Sequence, residues 1–299
     1  LILLAAVGLL FGCKTKFFQF RKFGYILKNT AGEMFKKGGG AKGKEGTLTP
    51  LQAVSSALAG CVGTANIAGV ATAMVVGGPG AVFWMWVVAL LGMLTKCVEV
   101  TLGQYYRVKG EDGVYYGGPM YYIERGMGRK WKPLAVIFSV TIILGGLGTA
   151  AFAQPYTMST AVHNSLGIPA WITTVAAAVI CGVVLLGGVK SIGGFCEKLT
   201  PAMCLIYVVG VLGVIIINLE HVPAAFAAIF RYAFAPMPAV GGLAGSTVAL
   251  ALRQGAARGT FSNEAGCGSS PITHATAITD HPFKEGMYGC FEVIVHTTS

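Results

Sequence analysis

Ala59-Gly60-Cys61-Val62-Gly63-Thr64-Ala65-Asn66-Ile67-Ala68-Gly69-Val70-Ala71 decides how the chain is read. The stretch sits in the middle of an apolar segment, Pro50 to about Val76, that is long enough to cross a bilayer. Its glycines and single Asn stand where an ordinary spanning helix carries Leu and Ile. A helix this weak is tolerated at membrane depth only where the freed backbone faces protein or a cavity instead of lipid. The implied role is to hold a small substrate and an ion, as the broken helices of secondary transporters do.

Composition supports a membrane setting. Of the 299 residues 54% are hydrophobic and only 11% charged, where a soluble domain is about a quarter charged. The formal net charge of +10 raises nucleic-acid binding as a class, but its distribution argues against it. Lys14, Lys16, Arg21, Lys22, Lys28, Lys36, Lys37, Lys42 and Lys44 crowd one stretch, and other connections hold almost no Lys or Arg. That is the positive-inside pattern of a multi-pass protein of the cell membrane, with its basic loops cytoplasmic. The eight cysteines form no Cys-x-x-Cys pair and no metal-ligand spacing with His. They read as small buried hydrophobes, and no metal other than sodium is expected.

Working outward, Leu1 to Phe11 reads as the end of a spanning helix, and the chain as a fragment cut at both ends. Phe17, Phe18, Phe20 and Phe23 interleave with the first basic residues, which suggests an interfacial segment, with a Gly38-Gly39-Gly40 tip beyond it. The Pro50–Val76 segment is A. Segment B follows Gly77-Gly78-Pro79-Gly80 and runs to about Tyr106, with Trp84 and Trp86 as interface anchors. A polar loop spans Arg107 to Lys132. Segments C, D and E cover about 133–162, 169–189 and 199–219, with Lys190, Glu197 and Lys198 marking the turn between D and E. An amphipathic stretch, Ala224 to Phe234, is expected at the surface. Segment F covers about 243–278, and segment G follows the Asp280–Glu285 loop.

Segment F carries a second weak stretch, Gly255-Ala256-Ala257-Arg258-Gly259-Thr260-Phe261-Ser262-Asn263-Glu264-Ala265-Gly266-Cys267-Gly268. Ser262-Asn263-Glu264 reads there as a helix restart, with a capping side chain and an acidic first turn. Tight helix packing is the competing explanation for these glycines. F is the fifth spanning segment after A and crosses in the opposite sense. Two interrupted segments in such positions point to an inverted five-helix repeat with substrate and ion at the two breaks. Unwound N–H groups would meet a carboxylate and unwound carbonyls a sodium ion. Arg253 and Arg258 are read as partners for Glu264 or as reaching the inner vestibule, and Lys96 as pairing with Glu99 three residues on.

Gly63 to Ala73, Gly78-Pro79-Gly80-Ala81-Val82-Phe83-Trp84-Met85-Trp86, Thr95 to Leu102, Gly117-Gly118-Pro119-Met120-Tyr121-Tyr122-Ile123 and Arg258 to Ile272 together resemble the alanine or glycine:cation symporter family. The resemblance implies an all-α polytopic membrane protein with a leucine-transporter-like five-helix inverted repeat, truncated before the repeat is complete. Residues 1–11 would end one extra N-terminal helix and 12–49 form a basic cytoplasmic segment. Residues 50–219 would make the first repeat and 243–299 start the second, all within one transport domain. It implies a sodium-coupled symporter for a small neutral amino acid, alanine or glycine, with Na⁺ as coupling ion and no other cofactor. Thr64, Ala65, Asn66, Gly69, Gln154, Phe261 and Asn263 would bind substrate, and Gly63 and Asn66 the ion. Ala65 stands where the family usually has Gly, and Pro155 where a small polar residue is more usual. A proton-coupled transporter of the same fold, or a membrane channel, are the alternatives. No paired nucleophile and base or metal-ligand set suggests an enzyme.

Overall fold

The computed structural model describes residues 2–34, 46–63, 65–238 and 246–298. Helix α1 (Ile2–Lys14) leads into three short helices, α2 (Phe18–Arg21), α3 (Phe23–Asn29) and α4 (Ala31–Met34). Segment A is two helices, α5 (Pro50–Cys61) and α6 (Val70–Gly77), with a π-helix at Ala65–Gly69 between them. Segment B is a single helix, α7 (Gly80–Tyr105). The 107–132 stretch is folded, with an antiparallel pair β1 (Val108–Lys109) and β2 (Tyr115–Tyr116), helix α8 (Pro119–Met127) and a 3₁₀ turn at Arg129–Trp131. Segment C is α9 (Lys132–Gly148) and α10 (Gln154–Leu166), joined by a second π-helix, Thr149–Ala153. Then come α11 (Ala170–Leu186), α12 (Gly188–Ile217), α13 (Val222–Phe234), α14 (Val248–Asn263), α15 (Ser270–His274) and α16 (Pro282–Thr298).

Among the described residues three runs are long and apolar enough to cross a membrane: Gly80–Tyr105, Arg129–Leu166 and Gly188–Ile217. The pair Pro50–Cys61 and Asn66–Gly77, bent by 46°, makes a fourth. Burial separates these runs. The apolar window of α7 is 44% buried, against 6% for each of the other two long runs. Thus α7 is the axis of the fold, and it packs against α1, α13, α14, α15 and α16. Ala89, Met93 and Cys97 of α7 form the main apolar cluster with Met287, Cys290 and Val293 of α16 and Ile26 of α3.

Local chemistry explains the helix ends near the candidate site. Thr49 caps α5: its hydroxyl accepts from Gln52 N at 3.2 Å, and the Gln52 side chain accepts from Thr49 N at 3.1 Å. Pro50 takes the first helical position, where its missing N–H costs nothing, and such a cap is worth about 1 kcal/mol. At the other end Val62 is extended, with ψ 100°, and the helix stops.

Several expectations change. Gly255 and Gly259 lie inside α14, which runs unbroken to Asn263. A Cβ on Gly255 would collide with Ala81 O and fall 2.7 Å from Trp84 Cβ, so this glycine lets two helix backbones touch. Glu264 ends α14 in the left-handed conformation (φ 52°); Ser262-Asn263-Glu264 is therefore a helix end and not a restart. The interruption itself is the six-residue link 264–269, before α15. Lys190, Glu197 and Lys198 stand in the first turns of α12; the turn between D and E is at Gly187 and Gly188, where φ reaches +69° at Gly188. The Gly38–Gly40 tip lies outside the described residues. The Phe-rich stretch before it docks on protein through Ile26, which is fully buried, and keeps Phe17, Phe20 and Phe23 exposed.

At one end of α7 the amphipathic α13 is clamped by aromatics. Phe83 meets Phe230 and Phe234 edge-on at 5.7 and 5.1 Å, and Trp84 Nε1 donates to Ala233 O at 3.1 Å. At the other end Arg107 donates to Ala275 O and Ala277 O at 3.1 and 2.7 Å. Thr47 N and Ile278 N close a short bridge between Thr47–Leu48 and residues 276–278. This staple fixes the link that comes after α15.

Candidate substrate site

The interruption of segment A meets the end of α14. Asn66, in the first π-helix, is buried, and its Oδ1 accepts from Ser262 Oγ at 2.6 Å. Ser262 is the last residue but one of α14, 196 residues away in sequence. The Asn66 Nδ2 has no protein partner among the described residues. With the amide turned over, the hydroxyl would accept from Nδ2 and leave Oδ1 free, since an amide's O and N are assigned by their contacts. One end of Asn66 is thus anchored and the other open to a ligand, as a carboxylate acceptor or a cation requires.

Gln154 comes to the same place from α10. A Cβ on Gly63 would sit 3.6 Å from Gln154 Nε2, so the Gln amide lies directly against the break of segment A. The π-helix Thr149–Ala153 ends one residue before Gln154. A π-turn shifts the angular phase of the helical residues beyond it and is frequent at functional sites; here one stands at each of two facing positions, 65–69 and 149–153. Val62, Gly63, Asn66 and Ile67 also line a cavity of about 390 Å³, walled on its far side by α12 residues that include Met203 and Tyr207. Ligand pockets span about 300–1,000 Å³.

The remaining expected residues divide. Gly69 is buried at the end of the π-helix. Ala65 opens that π-helix; its side chain, like all of Thr64, lies outside the described residues. Asn263 is buried but turns toward α7: its Oδ1 accepts from Ala265 N at 3.0 Å, and its carbonyl accepts from Lys96 Nζ at 3.0 Å. Its Nδ2 has no protein partner among the described residues. Phe261 is 47% exposed in the last turn of α14 and does not line the cavity. The structure therefore gathers Gly63, Asn66 and Gln154, and sets Phe261 and Asn263 apart from them.

Two pairings expected from sequence proximity give way to other partners. Glu99 accepts from Gly266 N at 3.1 Å. Lys96 instead meets Glu292 of α16, Nζ to Oε2, at 3.0 Å, with both side chains fully buried. Glu264, expected to pair with Arg258, accepts from Ser269 Oγ at 2.5 Å and closes the 264–269 link on itself. Sequence reading missed Ser262 as the bond between the break of segment A and α14. It also missed Glu292, although a lone carboxylate in apolar segment G is itself a functional signal.

Comparison with known proteins agrees with this architecture. A profile of the sodium:alanine symporter family matches residues 1–298. The chain belongs to the sodium:alanine symporter family. Among curated relatives in this family, the uncharacterized transporter YflA of Bacillus subtilis is 44% identical over 297 residues, covering 99% of this chain and 62% of the relative. The sodium/alanine symporter AgcS of Methanococcus maripaludis is 38% identical over 289 residues, covering 96% and 62%. The probable sodium/glutamine symporter GlnT of Bacillus subtilis is 36% identical over 297 residues, covering 99% and 59%. The chain thus spans about three-fifths of the length of these sodium:alanine symporter relatives. Family membership and the apolar runs together make this a multi-pass membrane protein of a transporter family.

Proposed function

We propose that the protein is a sodium-coupled symporter that carries a small neutral amino acid, alanine or glycine, across the cell membrane. The observation that carries this reading is the Asn66–Ser262 hydrogen bond with Gln154 beside Gly63. It ties the interruption of segment A to the end of α14 and brings a free amide to the same point. Unwound backbone at 62–69 offers N–H groups to the amino-acid carboxylate and carbonyls to Na⁺. Gly63 and Asn66 hold the ion in this reading; Thr64, Ala65, Asn66, Gly69 and Gln154 hold the amino acid. Phe261 and Asn263, in the last turn of α14, stand outside this cluster.

The fold that fits this chemistry is the leucine-transporter-like inverted repeat, with 50–219 as its first half and the basic loops on the cytoplasmic side. Alternating access then comes from rocking one helix group against another around the fixed site. The names of the relatives support both sodium and an amino acid, and they divide between alanine and glutamine. A short, neutral side chain is favoured here because an Ala at position 65, in place of the family's usual Gly, adds a methyl group to the first break.

The test is uptake by the purified protein in proteoliposomes. An inward Na⁺ gradient should concentrate alanine or glycine above glutamine. Equal uptake with K⁺ or choline in place of Na⁺ would overturn sodium coupling, and preference for glutamine would overturn the assigned substrate class.

A further inference from the structure

A second buried cluster lies beside this site. His274, at the end of α15, is fully buried between two glutamates of α16. Its Nδ1 is 2.7 Å from Glu285 Oε1 and its Nε2 is 2.5 Å from Glu292 Oε1. The other oxygen of Glu292 meets Lys96 Nζ at 3.0 Å, and the same ammonium donates to Asn263 O at 3.0 Å. Glu285, Glu292 and Lys96 are each 0% exposed. An unbroken polar chain therefore runs from Glu285 through His274, Glu292 and Lys96 to the carbonyl at the end of α14.

Proton counting constrains this chain. An ionised carboxylate only accepts, and a neutral imidazole has one donor and one acceptor nitrogen. Two ring nitrogens facing two ionised carboxylates require the imidazolium. A neutral ring requires one carboxylate to be protonated. Either arrangement holds one proton more than a neutral ring between two carboxylates. Without that proton a ring lone pair would oppose a carboxylate lone pair, in a buried place where an unmade hydrogen bond is costly.

We propose that Glu285, His274 and Glu292 form a proton-binding site, and that its bound proton keeps Lys96 seated on the end of α14. Its consequence for transport rests on the symporter reading; the proton site itself does not. Other groups surround it. On α7 these are Cys97, Glu99, Gln104, whose amide donates to His274 O, and Arg107 on the carbonyls of Ala275 and Ala277. Cys61 of α5 lies 3.8 Å from Lys96, Glu264 comes just after α14, and Tyr288 and Cys290 flank the site on α16. The two ring nitrogens are themselves taken by Glu285 and Glu292. In this proposal the folded protein holds the proton more tightly than the unfolded chain does. Its stabilising effect is therefore present at lower pH and is lost as pH rises through its folded titration.

Glu285→Gln separates this site from other titrations. The Gln amide donates to Nδ1 of a neutral ring, and Nε2–H donates to Glu292, so every contact is made without the extra proton. Melting of the purified protein, followed from neutral to alkaline pH, should show an alkaline fall in wild type. In E285Q that fall should be absent or displaced to lower pH by about one pH unit or more. Sodium-driven uptake should show the same displacement. Parallel wild-type and E285Q curves overturn the proposal, and so does an E285Q protein that does not fold, since the amide completes the contacts. A second arm needs no variant. Hydrogen exchange of residues 264–269 in wild type, corrected for its intrinsic pH dependence, should rise through the same transition; a flat profile overturns the link to α14. Wild type that fails to take up amino acid with Na⁺ refutes the transport reading and leaves the melting result to stand by itself.

Discussion

Lys96→Met is the perturbation whose cost can be worked out most fully. The Lys96 and Glu292 side chains are both 0% exposed and 3.0 Å apart. Removing Lys96 leaves the buried Glu292 carboxylate with His274 as its remaining partner, at a cost toward the lower end of the about 3–5 kcal/mol of a broken buried pair. The hydrogen bond to Asn263 O adds about 1 kcal/mol. Met keeps nearly the volume of the Lys stem, so the cavity contribution is small. Glu292→Gln in the same chain removes that carboxylate. The double variant should then recover much of the loss, with a coupling energy toward the upper end of about 0.5–3 kcal/mol. Unfolding of the purified protein in detergent should be measured for wild type, both single variants and the double. If K96M is as stable as wild type, or the double equals the sum of the singles, the pair is not formed as described and the proton chain loses its link to α14.

Gly255→Val should destabilise by about 1–3 kcal/mol through overpacking, because its Cβ would meet the Ala81 carbonyl and Trp84. Gly210→Ala in α12, where nothing lies within 4 Å, should instead gain up to about 1 kcal/mol; equal effects in melting experiments would contradict the α14–α7 contact. Ser262→Ala removes the bond to Asn66 Oδ1, costs about 0.5–1.5 kcal/mol and should raise the amino-acid concentration needed for half-maximal uptake; an unchanged value would mean the break of segment A and α14 are not coupled there. In the β1–β2 hairpin the Tyr116 hydroxyl, 2.5 Å away, and Val114 N hold the exposed Asp112 carboxyl below its usual range. Its small contribution is present above that range and is lost as pH falls through the depressed value. Tyr116→Phe should move the Asp112 titration upward by NMR, and no movement would show that the bond is absent in solution.

The interruption of segment A is legible in sequence because Gly63 and Asn66 together weaken a helix at membrane depth. The same composition misleads in segment F. Gly255 and Gly259 look like Gly63 in one dimension, and only the backbone of α7 beside them shows that they serve packing. The end of α14 is hard to place for a related reason: Ser-Asn-Glu suits a helix start, yet Glu264 adopts the left-handed conformation that ends one. Lys96 has Glu99 three residues away and Glu292 across the fold, and short spacing favours the wrong partner. The amphipathic α13 is readable from its apolar face, but its docking on Phe83 and Trp84 needs tertiary structure. The π-helix before Gln154 leaves no mark in sequence that propensity could detect. Orphan and paired polar groups in segment G, Glu292 above all, are readable as unusual but not as a chain through His274.

The central claim is that an amino acid and Na⁺ share the place where the break at 62–69 meets the end of α14 and Gln154. Equilibrium binding of alanine to the purified protein, titrated at several Na⁺ concentrations in wild type and Asn66→Ala, tests it most directly. The account predicts that Na⁺ tightens alanine binding in wild type and that N66A loses both the binding and its Na⁺ dependence while remaining folded. Alanine binding that is indifferent to Na⁺, or unchanged in N66A, would contradict it.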